Sequence, residues 1–119
     1  MQDLGKLGEN IISDYLIKNG FKILSKNFTT KFGEIDLIAQ KDSTVAFIEV
    51  KARKKAYFPI STVVTYPKQK KIIKTSKCFI RNFNIVDNVL RFDVATVEII
   101  DQDITAYDIN YIQNAFYGK

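Results

Sequence analysis

The sequence predicts a mixed fold, α/β in the broad sense and α+β in detail, with a central mixed β-sheet flanked by helices. Apolar residues recur at three- and four-residue intervals over 3–19, strand-like segments crowd between 21 and 51, and a second helix-then-strand pattern covers 67–83 and 89–100.

The first element is a helix over 3–19. Leu4, Leu7, Ile11, Ile12, Tyr15 and Leu16 share one stripe, Asp3 is placed to cap the start, and Asn19-Gly20 supplies the stop. Residues 21–30, 34–40 and 44–51 read as strands, with Gly33 breaking the first pair and Lys41-Asp42-Ser43 turning the second. After a looser stretch at 57–65, Pro67 suits the first turn of a helix running to about Phe83, where the N–H that proline lacks would have no intrahelical partner. Asn82 to Asn88 supplies its exit. The run VLRFDVATVEII at 89–100 alternates and is rich in β-branched residues, so it reads as a strand, and 104–108 reads as another. The tail YIQNAF is expected as a short helical turn packing Ile112 and Phe116 onto the core. The order is αβββαβ followed by a terminal β. No linker or internal repeat divides the chain, so residues 1–119 are expected to form one domain around one core.

The composition, 46% hydrophobic and 26% charged, is that of a soluble globular chain, and no apolar run approaches the length of about 18 residues that a membrane span needs. No membrane partner is expected. Met1-Gln2-Asp3-Leu4-Gly5-Lys6 lacks the basic-then-apolar pattern of a secretion signal, which gives the expectation of a cytoplasmic protein. A lone cysteine, Cys78, cannot form an internal disulfide and is expected as an inert buried thiol. The chain contains no His. That excludes Ser-His and Cys-His nucleophile pairs, and with one Cys it also excludes an ordinary structural zinc site. Any enzymatic chemistry falls to carboxylates and lysine.

The net charge is +5, and its distribution matters more than its size. Between Lys51 and Val86 stand ten of the 18 Lys and Arg residues and no Asp or Glu. Just before this basic stretch, GEIDLIAQKDSTVAFIEVK at 33–51 reads as two apolar strands interrupted by Glu34, Asp36, Glu49 and Lys51. Side chains alternate across a strand, so Glu34, Asp36 and Ile38 share one face and Phe47, Glu49 and Lys51 another. With Asp42-Ser43 at the tip, Ile38 opposes Phe47, Asp36 opposes Glu49, and Glu34 opposes Lys51. Opposed carboxylates on a half-buried face repel unless something positive lies between them. A divalent cation answers that demand, and Mg²⁺ takes one or two protein carboxylates, completing its shell with water and phosphate oxygens. Asp36 and Glu49 supply such a pair, with the Lys51 amine two residues on to orient or deprotonate water, or to steady charge developing on a phosphate. A solvated sheet face would also carry Glu-x-Lys, so the pattern alone leaves both readings open.

The stretch GEIDLIAQKDSTVAFIEVKAR resembles the signature of the YraN family, small bacterial proteins grouped with the restriction-endonuclease-like, PD-(D/E)XK superfamily and similar to archaeal Holliday junction resolvases. The resemblance covers most of the chain and extends to GKLGENIISDYLIKNGF, PKQKKI, RFDV at 91–94, and NAF near the end. It implies a restriction-endonuclease-like core and a metal-dependent endonuclease of Mg²⁺ or Mn²⁺ type, with Asp36, Glu49 and Lys51 as metal-binding and catalytic residues. Ile35 stands where the motif often has proline. A first-helix glutamate joins the site in that superfamily, and Glu9 matches it. By helical geometry Glu9 sits at the margin of the apolar stripe, about 120° from its centre, where it could reach a metal or simply pair with Lys6. Glu34 is either a partner of Lys51 or a residue bounding the site. Where relatives usually have an arginine this chain has Thr29, and a C-terminal histidine common among them is missing.

Along the 67–83 helix, Lys70, Lys74, Lys77 and Arg81 fall within about 60° of arc, a lysine rail without acidic partners one turn away. Arg53, Lys54 and Lys55, followed by Tyr57 and Phe58, extend the basic surface. Gln69 and Lys70 occupy the place where related nucleases carry an auxiliary Gln or Lys. Nothing resembles a base-reading motif, so contacts to phosphates should dominate. The implied partner is nucleic acid, DNA ahead of RNA, and resolvase-like relatives imply a homodimer. Three readings remain open: a DNA endonuclease hydrolysing phosphodiesters, structure-selective on branched DNA; a non-catalytic nucleic-acid-binding module of recombination, repair or DNA uptake that retains a nuclease-like site; or a housekeeping protein whose charge cluster is a salt-bridge lattice.

Overall fold

In the computed structural model, residues 3–54, 63–100 and 106–117 are described. Helix α1 (Leu4–Lys18) begins where Asp3 accepts hydrogen bonds from the backbone N–H groups of Gly5 and Lys6 at 2.9 and 3.4 Å. It ends in a Schellman arrangement: Gly20, at φ 89°, donates to Ile17 O at 3.1 Å, and Phe21 donates to Leu16 O at 2.9 Å. The chain then enters β1 (Lys22–Thr30), β2 (Gly33–Lys41) and β3 (Thr44–Lys54), crosses over through α2 (Tyr66–Asn82), and finishes in β4 (Val89–Ile99) and β5 (Tyr107–Phe116). Pro67 does stand in the first turn of α2. The strands form one five-stranded sheet in sequence order, antiparallel except for the β3–β4 pair, which is parallel. This is the mixed sheet flanked by helices that the sequence predicted, a topology consistent with a restriction-endonuclease-like core.

Each face of the sheet has its own apolar layer. Ile12 and Leu16 of α1 pack on Leu37, Ala39, Ala46, Ile48, Ala95 and Val97. Ile72 and Phe79 of α2 pack on Ile38, Val45, Phe47, Phe92, Val94 and Phe116. Strand β3 is buried on both sides, which explains its continuous apolar run from Val45 to Ile48. Gly8 lets α1 approach it closely: a Cβ added there would lie 2.7 Å from the Ala52 Cβ.

The C-terminal segment corrects the sequence reading. YIQNAF belongs to strand β5, paired with β4, and is no helical turn. Residues four apart lie on the same side of both a helix and a strand, so Ile112 and Phe116 could not tell the two apart. What fixes the strand is Asp93, fully buried in β4. It accepts from Arg91 Nε at 3.0 and 3.1 Å, from the Tyr111 hydroxyl at 2.6 Å, and from the backbone N–H of Asn114 at 3.0 Å. Asn114 takes φ 52° next to the register shift between Phe92 and Val94. Burial, and then the Asp93 carboxylate, push the Tyr111 hydroxyl well above its ordinary value. Burial opposes the Arg91 cation, but Asp93 outweighs it and the net shift is upward. The recurring RFDV and NAF pieces are thus two halves of one polar tie. The predicted strand at 104–108 falls partly outside the described residues, and Cys78 is free but half-buried instead of fully buried.

Two stability outcomes follow. Gly8→Ala should lower Tm by about 4 °C or more, because overpacking against Ala52 (~1–3 kcal/mol) exceeds the helix-propensity gain (~1 kcal/mol); a rise on thermal denaturation would refute the close packing. Asp93→Asn, which keeps the shape but removes the charge facing Arg91, should cost about 3 kcal/mol, read as a lower urea midpoint at unchanged slope.

Candidate functional site

Strands β2 and β3 pair regularly from Lys41↔Thr44 to Leu37↔Ile48, including the expected Ile38↔Phe47 pair, and there the ladder stops. Beyond it the strands fork. Ile35 and Ile38 both join the apolar layer under α2 although they are three residues apart, so the alternation of β2 breaks at Asp36. On the other side, Asn27 of β1, at φ 54°, drops out of the β1–β2 ladder where it would oppose Asp36. Freed from regular pairing, Asp36 turns its carboxylate into the fork and accepts the backbone N–H of Val50 at 2.8 Å. The expected direct opposition of Asp36 to Glu49, and of Glu34 to Lys51, is therefore not formed as ladder pairs.

The carboxylates nevertheless meet. Glu49 is buried, 6% exposed, on the α2 side of β3, and its carboxyl lies within hydrogen-bonding contact of Asp36. Burial, then the adjacent Glu49 charge, push Asp36 up to about 7, while the Val50 N–H and the Lys68 ammonium work the other way. Glu9 arrives from the opposite face of the sheet, on α1. It hydrogen-bonds with Asn27 and is shifted upward by burial first, then by the Asp36 charge, with smaller contributions from Glu34 and Asp3. Among the described residues, no group of three or more carboxylates, Cys or His is close enough together to hold a metal by itself. The contact pair is Asp36–Glu49, with Glu9 adding its field and no salt bridge to Lys6.

A cleft of ≈ 380 Å³ opens over this pair. Its acidic wall is Glu34, Asp36 and Glu49, and its other wall is the start of α2, where Lys68 and Lys71 project. Lys68 forms an ion pair with Glu49, its own side chain 45% exposed. The sequence reading missed this lysine, yet a signal was present: Lys68 lies one turn before Ile72 and Lys71 one turn before Thr75, both on the buried stripe of α2. A lysine at the end of that stripe overhangs the sheet.

The other expected residues lie elsewhere. Lys51 shares the α2 side of β3 with Glu49, roughly 7 Å further along the strand by extended geometry, but its exposed side chain has no ion pair or hydrogen bond among the described residues, its backbone pairing with β4 opposite Thr96. Gln69 donates to Val64 O at 3.2 Å and so secures the entry of α2 instead of facing the cleft. Lys70 leans over the Tyr66 ring, its ammonium 4.7 Å from the centroid. Lys74 and Lys77 line a shallow groove with Lys70, and Arg81 is exposed at the far end of α2. Arg53 is half-buried opposite Glu98, and Lys54 is exposed at the end of β3. Lys55, Tyr57 and Phe58 lie outside the described residues. Thr29 pairs with Glu34 across β1 and β2, and its hydroxyl donates to Asn27 O at 3.1 Å.

Residues 8–97, from Gly8 in α1 to near the end of β4, match the family described as Uncharacterised protein family UPF0102. The chain belongs to the UPF0102 family. It is 41% identical over 114 residues to a UPF0102 protein of Caldanaerobacter subterraneus subsp. tengcongensis, covering 95% of this chain and 93% of that one. It is 42% identical over 118 residues to a UPF0102 protein of Caldicellulosiruptor bescii, covering 98% of each. A UPF0102 protein of Vibrio parahaemolyticus is 40% identical over 118 residues, covering 96% and 92% of the two chains. UPF0102 is the YraN family, so the resemblance drawn from 33–53 holds across nearly the full length. The fork, the cleft and its two walls all lie inside the matched residues.

The raised Asp36 value carries a stability consequence for the metal-free protein. Below about pH 4 Asp36 is protonated in both folded and unfolded chains. Between the ordinary 3.8 and about 7 the folded chain keeps a proton that the unfolded chain has released, so stability falls as pH rises, by up to ~1.4 kcal/mol per pH unit, and the whole deficit is present above 7. Asp36→Asn, which can still accept the Val50 N–H, should remove most of that slope and raise Tm at pH 7.5 while leaving pH 4 nearly unchanged. Thermal denaturation in EDTA across pH 4–8 measures this, and parallel curves for the two proteins would contradict the carboxylate contact.

Proposed function

We propose that this UPF0102 chain is a divalent-metal-dependent endonuclease that hydrolyses phosphodiester bonds of DNA, acting in the cytoplasm and selective for branched or otherwise non-duplex structure. The observation that carries the reading is the Asp36–Glu49 contact at the floor of a cleft whose opposite wall is basic. Two like-charged carboxylates held together and half-desolvated are an unfavourable arrangement unless a cation completes it.

The donor set fits Mg²⁺ or Mn²⁺, since it is made of oxygens alone, and two carboxylates leave room for water and phosphate oxygens. Asp36 and Glu49 would hold the ion, with Glu9 adding negative charge from behind Asp36, and its chemistry there is to polarise the phosphate and lower the pKa of a bound water. In hydrolysis, water attacks phosphorus and a sugar oxygen leaves, so negative charge grows on the phosphate. Lys51 stands beyond Glu49 on the same side of β3 with its ammonium uncommitted, which suits it to steady that charge or to orient the water. Lys71 lines the opposite wall and would meet the same phosphate from α2. The rail of Lys70, Lys74, Lys77 and Arg81, together with Arg53, Lys54 and Lys55, would track the rest of the backbone. Resolvase-like relatives suggest a homodimer for symmetric substrates.

One observation favours the second reading, a binding module without turnover. The Lys68 ammonium already neutralises Glu49, and a chain that keeps this ion pair has less need of a metal. A single assay separates the two: labelled duplex, flap and four-way-junction DNA incubated with Mg²⁺, Mn²⁺ or EDTA. Cleavage that needs metal and falls at least about 100-fold in Asp36→Asn and Glu49→Gln supports the nuclease, because loss of the ion removes several kcal/mol of transition-state stabilisation. Lys51→Ala should lower the rate while leaving Mg²⁺ affinity unchanged by calorimetry. Tight, salt-sensitive binding without cutting supports the module.

A further inference from the structure

Most phenylalanines of this chain are engaged ring to ring in the layer under α2: Phe28, Phe47, Phe79, Phe92 and Phe116 form a continuous series of edge and stacked contacts. Two aromatic rings near the cleft do something different. Phe32, at the β1–β2 turn immediately before the cleft residue Gly33, is 38% exposed; Tyr66, between the cleft residues Thr65 and Pro67, is 66% exposed. Ammonium groups lie over both rings. Lys31 and Lys74 stand 5.3 and 5.7 Å from the Phe32 centroid, and Lys70 stands 4.7 Å from that of Tyr66.

The two rings stand next to residues of the cleft without lining it: Phe32 precedes Gly33 of the sheet, and Tyr66 lies between Thr65 and Pro67 at the start of the helix. Lys70 and Lys74 connect them, since these residues are one turn apart, about 6 Å along α2, and each leans over one ring. Lys70, Lys74 and Lys77 also line a groove of ≈ 280 Å³ on α2. The result is a basic track along α2 with one exposed aromatic ring beside Lys70 and another beside Lys74, next to the cleft that holds the carboxylate pair. A duplex keeps its bases stacked on one another and offers such rings nothing but sugar and phosphate edges. An unpaired nucleotide offers both a π-face for the ring and a phosphate for the ammonium beside it. Aromatics alternating with cations along a groove are the recurring device for single strands, and stacking tolerates any base.

We infer that Phe32 and Tyr66 are base-stacking platforms and that the cleft takes a single-stranded segment of nucleic acid, the unpaired part of a flap, gap or junction, in preference to flush duplex. This deepens the nuclease reading and rests on it for the position of the scissile phosphate, although the stacking itself is independent of turnover. Glu34 is the one acidic residue exposed on the cleft wall beside Phe32, and it sets the side from which the strand's phosphates are excluded.

The chain has no tryptophan, so Phe32→Trp and Tyr66→Trp each give a single reporter. Each variant is titrated in EDTA with a dT 15-mer, an abasic 15-mer of equal charge, and a blunt 15-base-pair duplex. Saturable quenching by the dT strand, absent with the abasic strand and weak with duplex, is expected at both positions. In the otherwise native chain, Phe32→Ala and Tyr66→Ala should each weaken dT binding by roughly 5- to 100-fold, and both should erase the preference for dT over the abasic strand. Equal binding of dT and abasic strands by the native chain, or unquenched reporters on a bound strand, would overturn the platforms while leaving metal-dependent cutting of duplex or junction intact. Loss of metal-dependent cutting with stacking preserved would instead remove the nuclease reading and keep the platforms.

Discussion

The point on which this structure turns is the fork between β2 and β3. A strand whose partner leaves it must find new acceptors for its N–H groups, and a buried N–H without one costs about 1–3 kcal/mol. Here the Val50 N–H is taken by the Asp36 carboxylate instead of by a β2 carbonyl. That single substitution of side chain for backbone fixes Asp36 between the two faces of the sheet. Had the hairpin zipped on in register, Asp36 would point to one face only, and carboxylates from α1 and β3 could not both sense it. Because the fork opens, Glu49 from the α2 side and Glu9 from the α1 side converge electrostatically on one group.

The electrostatic balance of the cleft follows. Glu49 is almost wholly buried and needs a positive neighbour, and Lys68, nearly half exposed on a flexible stem, provides it. The pairing is unequal. Burying Glu49 without a partner costs several kcal/mol, whereas an ion pair with a solvated lysine end contributes little and is readily exchanged. Lys68 can therefore satisfy the acidic wall in the absence of another cation without locking it.

Much of this was legible in the sequence, and the failures have physical reasons. Period-2 and period-3.6 apolar patterns identified both helices and β1 to β4 to within three residues, and the Asp42-Ser43 turn fixed the register as far as Ile38↔Phe47. Register extrapolation failed two residues later because the end of the β2–β3 ladder is set by backbone geometry, with Asp36 taking the Val50 N–H and Asn27 at φ 54° leaving the β1–β2 ladder, and not by hydrophobic pattern. Of the tail residues Phe116 was assigned to the core correctly, Ile112 is only half-buried and outside both apolar layers, and both were assigned to a helix wrongly, since a four-residue spacing suits both periods; the buried Asp93 that anchors Tyr111 and Asn114 is a tertiary fact. Gln69 and Lys70 were favoured over Lys68 by motif position, while the phase of α2 is set by Ile72, Thr75, Ser76 and Phe79 facing the sheet.

The chain holds two buried aspartates whose surroundings differ in kind. Asp93 is closed: its two oxygens receive Arg91, the Tyr111 hydroxyl and the Asn114 N–H, no carboxylate stands beside it, and no cleft reaches it among the described residues. Such a group is fully compensated by the protein and has nothing to offer a ligand. Asp36 is open: one backbone N–H, a second carboxylate in contact, a third within its field, and a cleft above. A fold that needed only to satisfy a buried acid has shown at Asp93 that it can supply every donor. Leaving Asp36 short of donors and crowded by like charge is a sacrifice of stability at one position, and sites that give up stability in this way are where a cation from solution has most to gain. The contrast between the two aspartates, within one sheet and one solvent, is the strongest physical support for assigning the exchangeable chemistry to the fork.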